Sequence, residues 1–304
     1  MTTIRDPAAD LGASIRIPQP EGFLRVIARG DSGPPVLLLS GAGNDNVSLS
    51  WRRAIPVLAE SHRVLALDWP KQGGSAPWNG TAGHERMLQC VDAVLDHFEL
   101  ESASLVGLSQ GGALTLAYAI ERPERVERLV ALAPAGIISF PPVVHQFLWL
   151  VAKSRLLNRT LTTLTFRSRA ACAWFARTSL FAGPVDDFDE IVDEYHADVL
   201  ANGSGSSDWQ NSSIGFWRMN VDLRPRLREI RCPSLIIQGS EDVGVAPKHS
   251  RAAADAIPDA RYELIEGAGH WSNRQCPDLV NDLIATFLAP RTSPPGAPPH
   301  HTGE

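Results

Sequence analysis

The feature that most constrains this chain is a Gly-x-Ser-x-Gly motif between an apolar run and a helix-forming run. Residues 103–106 are apolar apart from Ser104, Gly107-Leu108-Ser109-Gln110-Gly111 follows, and residues 112–119 are small or apolar. A serine between a buried strand and a helix lies on a sharp turn, where a Cβ at either glycine would collide with neighbouring backbone. The motif predicts a nucleophilic Ser109 hydroxyl beside a helix N-terminus, which favours negative charge. The alternative interpretation is an ordinary strand-to-helix turn with an N-capping serine.

Predicted strands and helices alternate on both sides of this motif. The apolar runs that predict strands occur at 15–17, 22–28, 36–39, 63–67, 103–106, 126–131, 234–238 and 261–265. Helical patterns follow most of them, at 51–60, 87–98, 112–119, after Pro247 and from Pro277 to Leu288. This alternation predicts an α/β fold with a mostly parallel sheet covered by helices on both faces. Ligands of such sheets bind beyond the carboxyl ends of the strands.

The alternation stops between residues 137 and 221, a segment that contains four of the eight tryptophans. Its helical pattern predicts a cap inserted into a core made of residues 1–136 and 222–290. The Pro-rich segment 291–304 is predicted to be a disordered tail. Aromatic residues of the cap either line an apolar pocket or form the cap's own small core. The candidates for substrate binding are Gly41, Trp149, Trp174, Trp217 and Trp271.

Composition excludes several classes of protein. The chain has 304 residues, a net charge of -6 and no basic run, which argues against a nucleic-acid partner. No stretch approaches the roughly 18 apolar residues of a membrane span, and the acidic start has no secretory pattern. The four cysteines lie far apart, which indicates buried free thiols rather than disulfides or a zinc site. The sequence therefore predicts a cytoplasmic protein.

A serine hydroxyl needs a base within hydrogen-bond reach, and histidine has the appropriate pKa. Among nine histidines, His270 is the one in a glycine-rich loop directly after a predicted strand. A turn-capping loop histidine is the alternative. The base in turn needs a carboxylate to hold its tautomer. Asp242 follows the preceding strand and is favoured over its neighbour Glu241, because the shorter side chain suits a loop contact.

Stabilising the transition state of acyl transfer requires two donors aimed at the developing oxyanion. The backbone N–H of Gln110, directly after the candidate nucleophile, is one candidate. The loop after the strand at 36–39 offers the other, the N–H of Ala42.

These elements together resemble the α/β-hydrolase fold superfamily, in particular its lidded serine hydrolases, which include esterases, lactonases and C–C hydrolases. The resemblance spans about residues 20–290. The matching motifs are the oxyanion loop 37–43, the Asp-x-x-Gly-type loop 68–75, the nucleophile turn 107–112, the acid at 239–242 and the base at 267–270. It implies a catalytic triad of Ser109, Asp242 and His270 with no cofactor and no metal. A serine at 109 excludes the branches that resemble haloalkane dehalogenases and epoxide hydrolases, which need aspartate there.

Two residues depart from the family pattern. Ser40 stands where relatives usually have the histidine of a His-Gly pair, and Lys71 stands where the 68–75 loop usually has glycine. The ending Gly269-His270-Trp271 also occurs in relatives that cleave carbon–carbon bonds.

The sequence therefore predicts a hydrolase that acts on an ester, lactone or thioester of a bulky lipophilic small molecule through a covalent acyl-enzyme. One alternative is a lyase, acyltransferase or cyclisation catalyst of secondary metabolism that uses the same residues. Another is a small-molecule receptor on the same fold.

Overall fold

Eight strands form a single sheet in the computed structural model, which describes residues 7–289. The strands are β1 (Ala13–Gln19), β2 (Gly22–Arg29), β3 (Pro35–Leu39), β4 (Arg63–Leu67), β5 (Ala103–Leu108), β6 (Val126–Leu132), β7 (Ser234–Gly239) and β8 (Ala260–Ile265). Their order in the sheet is β1-β2-β4-β3-β5-β6-β7-β8. β2 pairs antiparallel with β1 and β4, and every other pairing is parallel. This confirms the predicted fold class. The predicted tail at 291–304 lies outside the described residues.

Twelve α-helices surround or follow the strands within residues 7–289. They are α1 (Val47–Trp51), α2 (Ala54–Leu58), α3 (His84–His97), α4 (Gln110–Glu121), α5 (Pro142–Lys153), α6 (Thr162–Phe166), α7 (Arg169–Phe175), α8 (Phe188–Asn202), α9 (Asp208–Ser213), α10 (Pro247–Ala256), α11 (Ser272–Gln275) and α12 (Pro277–Leu288). None of these described helices is both long and apolar enough to cross a membrane.

The central strands are continuous apolar runs because helices cover both faces of the sheet. Successive side chains of a strand point to opposite faces, and the two faces pack into two separate apolar clusters. Leu37 and Leu39 of β3 belong to the cluster that includes α3 and α4. Val36 and Leu38 belong to the cluster that includes α1, α2 and α12. All four side chains are fully buried, so the sheet is the middle layer of three.

The helix predicted at 51–60 is wrong in one respect, because the structure has two short helices there, α1 and α2. Pro56 lies in the first turn of α2. Proline has no N–H to donate to the carbonyl of Arg52, and its ring crowds that carbonyl. The helix therefore ends and starts again rather than running through.

The segment 137–221 connects the adjacent parallel strands β6 and β7 and contains α5 to α9. Two wide, π-helical stretches occur in it, Leu156–Leu161 and Ala176–Leu180. Its backbone contacts the loops that follow β3 and β8. The carbonyl of Gly203 accepts a hydrogen bond from Asn44 at 2.8 Å, and that of Leu180 accepts one from the N–H of Trp271 at 2.9 Å. The segment thus lies against the carboxyl end of the sheet.

Candidate active site

Ser109 occupies the turn between β5 and α4 in a strained conformation, with φ 54° and ψ -110°. A positive φ is uncommon for a residue with a side chain and is held here by the surrounding structure. The N–H of Ser109 donates to the carbonyl of Leu132 at 2.8 Å, and its own carbonyl accepts from Ala113 and Ala135, each at 2.9 Å. β6 and α4 therefore fix the turn on both sides.

The two glycines of the motif are required by close packing, as predicted. A Cβ at Gly107 would lie 2.3 Å from the backbone of Gly111, and one at Gly111 would lie 2.1 Å from the carbonyl oxygen of Leu39. Neither neighbour is a flexible side chain, so neither can move aside. The glycines let α4 start directly against β3 and β5.

The structure places His270 and Asp242 in contact. Nδ1 of His270 lies 2.8 Å from Oδ2 of Asp242. Oδ1 of Asp242 accepts hydrogen bonds from the N–H groups of Gly244 at 2.7 Å and Val245 at 2.9 Å. Oδ2 also accepts one from Nε2 of Gln238 at 2.9 Å. The carboxylate side chain is fully buried and that of His270 is largely buried. The aspartate is therefore held in one orientation and can hold the imidazole in turn.

The electrostatics favour an ionised Asp242. Burial by itself raises the pKa of this carboxyl, but the hydrogen bonds from His270, Val245 and Gln238 outweigh it, and the pKa lies below its ordinary value. Glu241, the competing carboxylate, is exposed, and its contact is with the hydroxyl of Ser240 at 3.5 Å. The geometry favours Asp242 as the partner of the histidine.

The loop after β3 carries Gly41 and Ala42 to the cavity that also contains Ser109 and His270. The N–H of Gly41 donates to Oδ2 of Asp45 at 2.5 Å. Asp45 is buried, and it also accepts the hydroxyl of Ser50 at 2.6 Å and the N–H of Asn46 at 2.8 Å. Burial raises the pKa of Asp45 to about 6, against which these hydrogen bonds act.

Ser40 does not brace this loop through its side chain, since its buried hydroxyl has no hydrogen-bond partner among the described residues. Other side chains do so through the backbone. Nε1 of Trp69 donates to the carbonyl of Ser40 at 2.9 Å, and Nε2 of Gln72 donates to that of Gly43 at 2.7 Å. Sequence reasoning missed Asp45 and Gln72. The polar run Asn44-Asp45-Asn46, directly after the glycine loop, was the available signal.

Gln110 is the first residue of α4, so its N–H is one of the helix donors without an intrahelical acceptor. Its side chain is buried and bonded at both ends. Oε1 accepts the hydroxyl of Ser207 from the insertion, and Nε2 lies 3.6 Å from Sδ of Met87. The side chain is thus a link between α4 and the insertion, while the N–H remains at the Ser109 turn.

The cavity has a volume of about 290 Å³ and lies between the strand ends and the insertion. Its wall beside Ser109 and His270 consists of backbone and small side chains at residues 41–43. Its lining includes apolar and aromatic side chains, those of Phe166, Phe175, Leu180, Tyr195 and Trp271. It also includes side chains with a hydroxyl or an amide, those of Thr162, Ser204, Ser206 and Gln210.

Three of the predicted substrate-binding tryptophans do not line this cavity, which corrects the expectation for them. Trp174 and Trp217 are 65% and 80% exposed. Trp149 packs edge-on against Phe216, with ring centroids 4.9 Å apart. Trp149 and Trp174 belong to α5 and α7, whereas Trp217 lies in the loop after α9. Gly41 and Trp271 do line the cavity, and their contact with substrate stays a prediction.

The structure gives Lys71 a specific role in the contact between the core and the insertion. Its φ of 69° belongs to the region that glycine adopts freely, which explains the usual glycine here. The ammonium donates to Oδ2 of Asp208 at 2.6 Å, and the same oxygen accepts the N–H of Ala82 at 3.0 Å. Lys71 thereby ties the 68–75 loop to the start of α9.

A family model for the alpha/beta hydrolase fold matches residues 34–274. The match includes Ser109, Asp242 and His270 and covers more than half of the chain. The chain therefore belongs to the alpha/beta hydrolase fold family, and it is an enzyme, a serine hydrolase.

Individual relatives are hydrolases of several kinds. The chain is 26% identical to 3-oxoadipate enol-lactonase 2 of Acinetobacter baylyi, over 85% of this chain and 90% of that protein. It is 27% identical to a 2-hydroxy-6-oxo-6-phenylhexa-2,4-dienoate hydrolase of Comamonas testosteroni, over 85% and 89%. In fold it is similar to the crystal structure of the naproxen esterase of Bacillus subtilis, with a TM-score of 0.73, 24% identity, and coverage of 93% of this chain and 94% of that one.

Proposed function

We propose that this enzyme hydrolyses an ester, lactone or thioester of a bulky lipophilic small molecule, through a triad of Ser109, His270 and Asp242 and without a cofactor. The observation that carries the proposal is the hydrogen bond of 2.8 Å between His270 and buried Asp242, in a cavity that also contains the strained Ser109. A nucleophile, a base and a residue that orients the base are the parts that acyl transfer requires.

In the acylation step, Oγ of Ser109 attacks the carbonyl carbon of the substrate. The hydroxyl proton passes to Nε2 of His270, the ring nitrogen that Asp242 does not engage. Asp242 stabilises the imidazolium, which is consistent with the lowered pKa of that carboxyl. The N–H groups of Gln110 and Ala42 are the proposed donors to the oxyanion. Collapse of the tetrahedral intermediate expels the alcohol or thiol, which takes the proton from His270, and leaves an acyl-Ser109 ester.

In the second step, water replaces the leaving group. His270 removes a proton from the water as it attacks the acyl carbon, and the second tetrahedral intermediate uses the same two N–H donors. The proton then returns from His270 to Oγ of Ser109, and the carboxylic acid leaves. No metal or redox step is needed for this balance.

The walls of the cavity support the lipophilic part of the proposal. Three rings, those of Phe166, Phe175 and Tyr195, form a cluster with centroids 5.4 to 6.3 Å apart. Aromatic walls of this kind favour apolar or aromatic ligand groups. A volume of about 290 Å³ suits a small molecule rather than a polymer.

The experiment is intact-protein mass spectrometry after incubation with a fluorophosphonate, for the wild type, Ser109→Ala and Ser102→Ala. Ser102 directly precedes β5, at the opposite end of that strand from Ser109, and its hydroxyl donates to Oε1 of Glu127. We expect one adduct on the wild type and on Ser102→Ala and none on Ser109→Ala. Hydrolysis of 4-nitrophenyl butyrate should fall by about 10⁵-fold or more in Ser109→Ala alone. Ester hydrolysis at the wild-type rate by Ser109→Ala would overturn the proposal. Incorporation of ¹⁸O from labelled water into the acid product distinguishes hydrolysis from acyl transfer to another acceptor.

A further inference from the structure

The cavity beside Ser109 is uncharged. Among the described residues that line it, none is a lysine, arginine, aspartate or glutamate, and His270 is the one group that gains charge during the reaction. Burial raises the pKa of the Tyr195 hydroxyl, which keeps that phenol neutral as well. A bound acyl group therefore meets no fixed charge in this wall.

Two hydroxyls of the cavity wall, those of Ser206 and Thr162, are already committed to acceptors in the protein. Oγ of Ser206 lies 2.8 Å from the side-chain oxygens of both Asn158 and Asn211. Oγ1 of Thr162 donates to backbone carbonyls, among them that of Ser204 at 3.1 Å. A hydroxyl has one proton, so these groups present lone pairs, not protons, to anything else in the cavity. An anion would find no donor in either of them.

Two cationic side chains, those of Lys71 and Arg159, line an adjoining crevice, and both are engaged there. Lys71 forms its ion pair with Asp208, and Arg159 donates to the carbonyl of Asn202 at 3.1 Å. The crevice also contains Asp198, so its carboxylates balance its cations. Neither cation is among the residues that line the cavity with Ser109.

We propose that the enzyme is selective for uncharged acyl groups and rejects substrates that carry a carboxylate on the acyl chain. This rests on the serine hydrolase function proposed above. A carboxylate that enters the cavity loses its hydration and meets no lysine or arginine among the described lining residues, and the hydroxyl protons of Thr162 and Ser206 are already engaged, which is unfavourable. The enol-lactonase relative is named after 3-oxoadipate, a dicarboxylate, so the proposal separates this enzyme from that relative by charge.

The test compares the mono-4-nitrophenyl ester of adipic acid with its methyl ester, which has nearly the same length but no charge. The expected kcat/KM at pH 7.5 is at least 100-fold lower for the acid, after subtraction of the uncatalysed rate. A second pair of variants, Thr162→Lys and Thr162→Met, places a cation or a neutral chain of similar length at the cavity wall. Thr162→Lys should lower the ratio of the kcat/KM for the methyl ester to that for the acid by about tenfold or more. Thr162→Met should leave this ratio unchanged.

The outcomes separate the two proposals. If both esters are hydrolysed with similar kcat/KM by the wild type and neither by Ser109→Ala, the charge selectivity is overturned and the serine hydrolase stands. If the methyl ester is hydrolysed equally well by Ser109→Ala, or not at all by the folded wild type, the proposed function fails and the selectivity with it. A ratio of 100 or more that depends on Ser109 supports both, even if the Thr162 variants do not fold.

Discussion

The backbone N–H of Gly41 donates to Oδ2 of Asp45 at 2.5 Å, so an ionisable side chain holds the loop that carries Ala42. Asp45 is fully buried and accepts two further hydrogen bonds. The loop beside the nucleophile is therefore coupled to the protonation of a carboxyl whose pKa is raised by burial to about 6.

This coupling predicts a pH-dependent difference in stability between the wild type and Asp45→Asn. The raised pKa means that the folded state holds a proton between about pH 4 and pH 6 that the unfolded state has lost, so this group's contribution to stability falls as the pH rises. Asparagine cannot titrate. Asp45→Asn should have a lower free energy of unfolding than the wild type, because it loses a hydrogen bond. That difference should become smaller by about 2 kcal/mol as the pH rises from 4.5 to 7.5. Urea unfolding at both pH values measures this difference in free energy. A difference that grows as the pH rises would contradict the raised pKa of Asp45.

Asp242→Asn should reduce kcat for 4-nitrophenyl butyrate by about 10³- to 10⁴-fold with little change in KM. The amide can donate to Nδ1 of His270 and so favour the tautomer that is unable to accept the Ser109 proton. Glu241→Gln is the matched control, because Glu241 is the adjacent carboxylate and is exposed. It should keep the wild-type rate. Equal losses in the two variants would show that the adjacent carboxylates act through a shared structural effect.

Gly111→Ala should destabilise the fold by about 3 kcal/mol or more, because the added Cβ would lie 2.1 Å from the carbonyl oxygen of Leu39. Gly83→Ala is the control. A Cβ there would make an ordinary contact at 3.5 Å with Ser212, at a φ of -75°, and should change stability by less than about 1 kcal/mol. The urea midpoints of the two purified variants, compared with that of the wild type, measure these changes in stability. A stable Gly111→Ala would mean that α4 can move away from β3.

Ser207→Ala should lower the free energy of unfolding by about 1–2 kcal/mol. Its hydroxyl accepts the N–H of Gln210 at 3.1 Å as the N-cap of α9, and it donates to Oε1 of Gln110. Ser212→Ala removes a hydroxyl of the same helix that donates to the backbone carbonyl of Trp209 at 2.9 Å, and it should cost about 0.5 kcal/mol or less. Calorimetric scans of both variants measure the difference, and equal effects would argue against a link to Gln110.

The Ser109 turn and the two later loops could be predicted from the sequence because each is a local pattern. An apolar strand, a required glycine and a polar residue at the strand end lie within a few positions of one another. The parallel sheet then brings its carboxyl ends to one edge, so the sequence predicts that Asp242 and His270 lie near Ser109.

The lining of the cavity could not be predicted because it depends on how the helices of the insertion rotate against the core. The π-helical stretches at Leu156–Leu161 and Ala176–Leu180 interrupt the regular spacing of faces. Periodicity therefore does not show that Phe175 faces the cavity while Trp174, the preceding residue, faces solvent. Lys71 illustrates a second limit, since its partner Asp208 is distant in sequence and no local pattern connects them.

The connection between β6 and β7 has a consequence for how this enzyme can change. The two strands are hydrogen-bonded neighbours, yet roughly 100 residues separate them along the chain. Closing a connection of twice that length would cost only about 0.6 kcal/mol more, so the sheet tolerates very different segments at this position. Evolution or an engineer can therefore exchange the segment that shapes the cavity while the strands that fix Ser109 and Asp242 keep their register, and substrate range can diverge faster than chemistry.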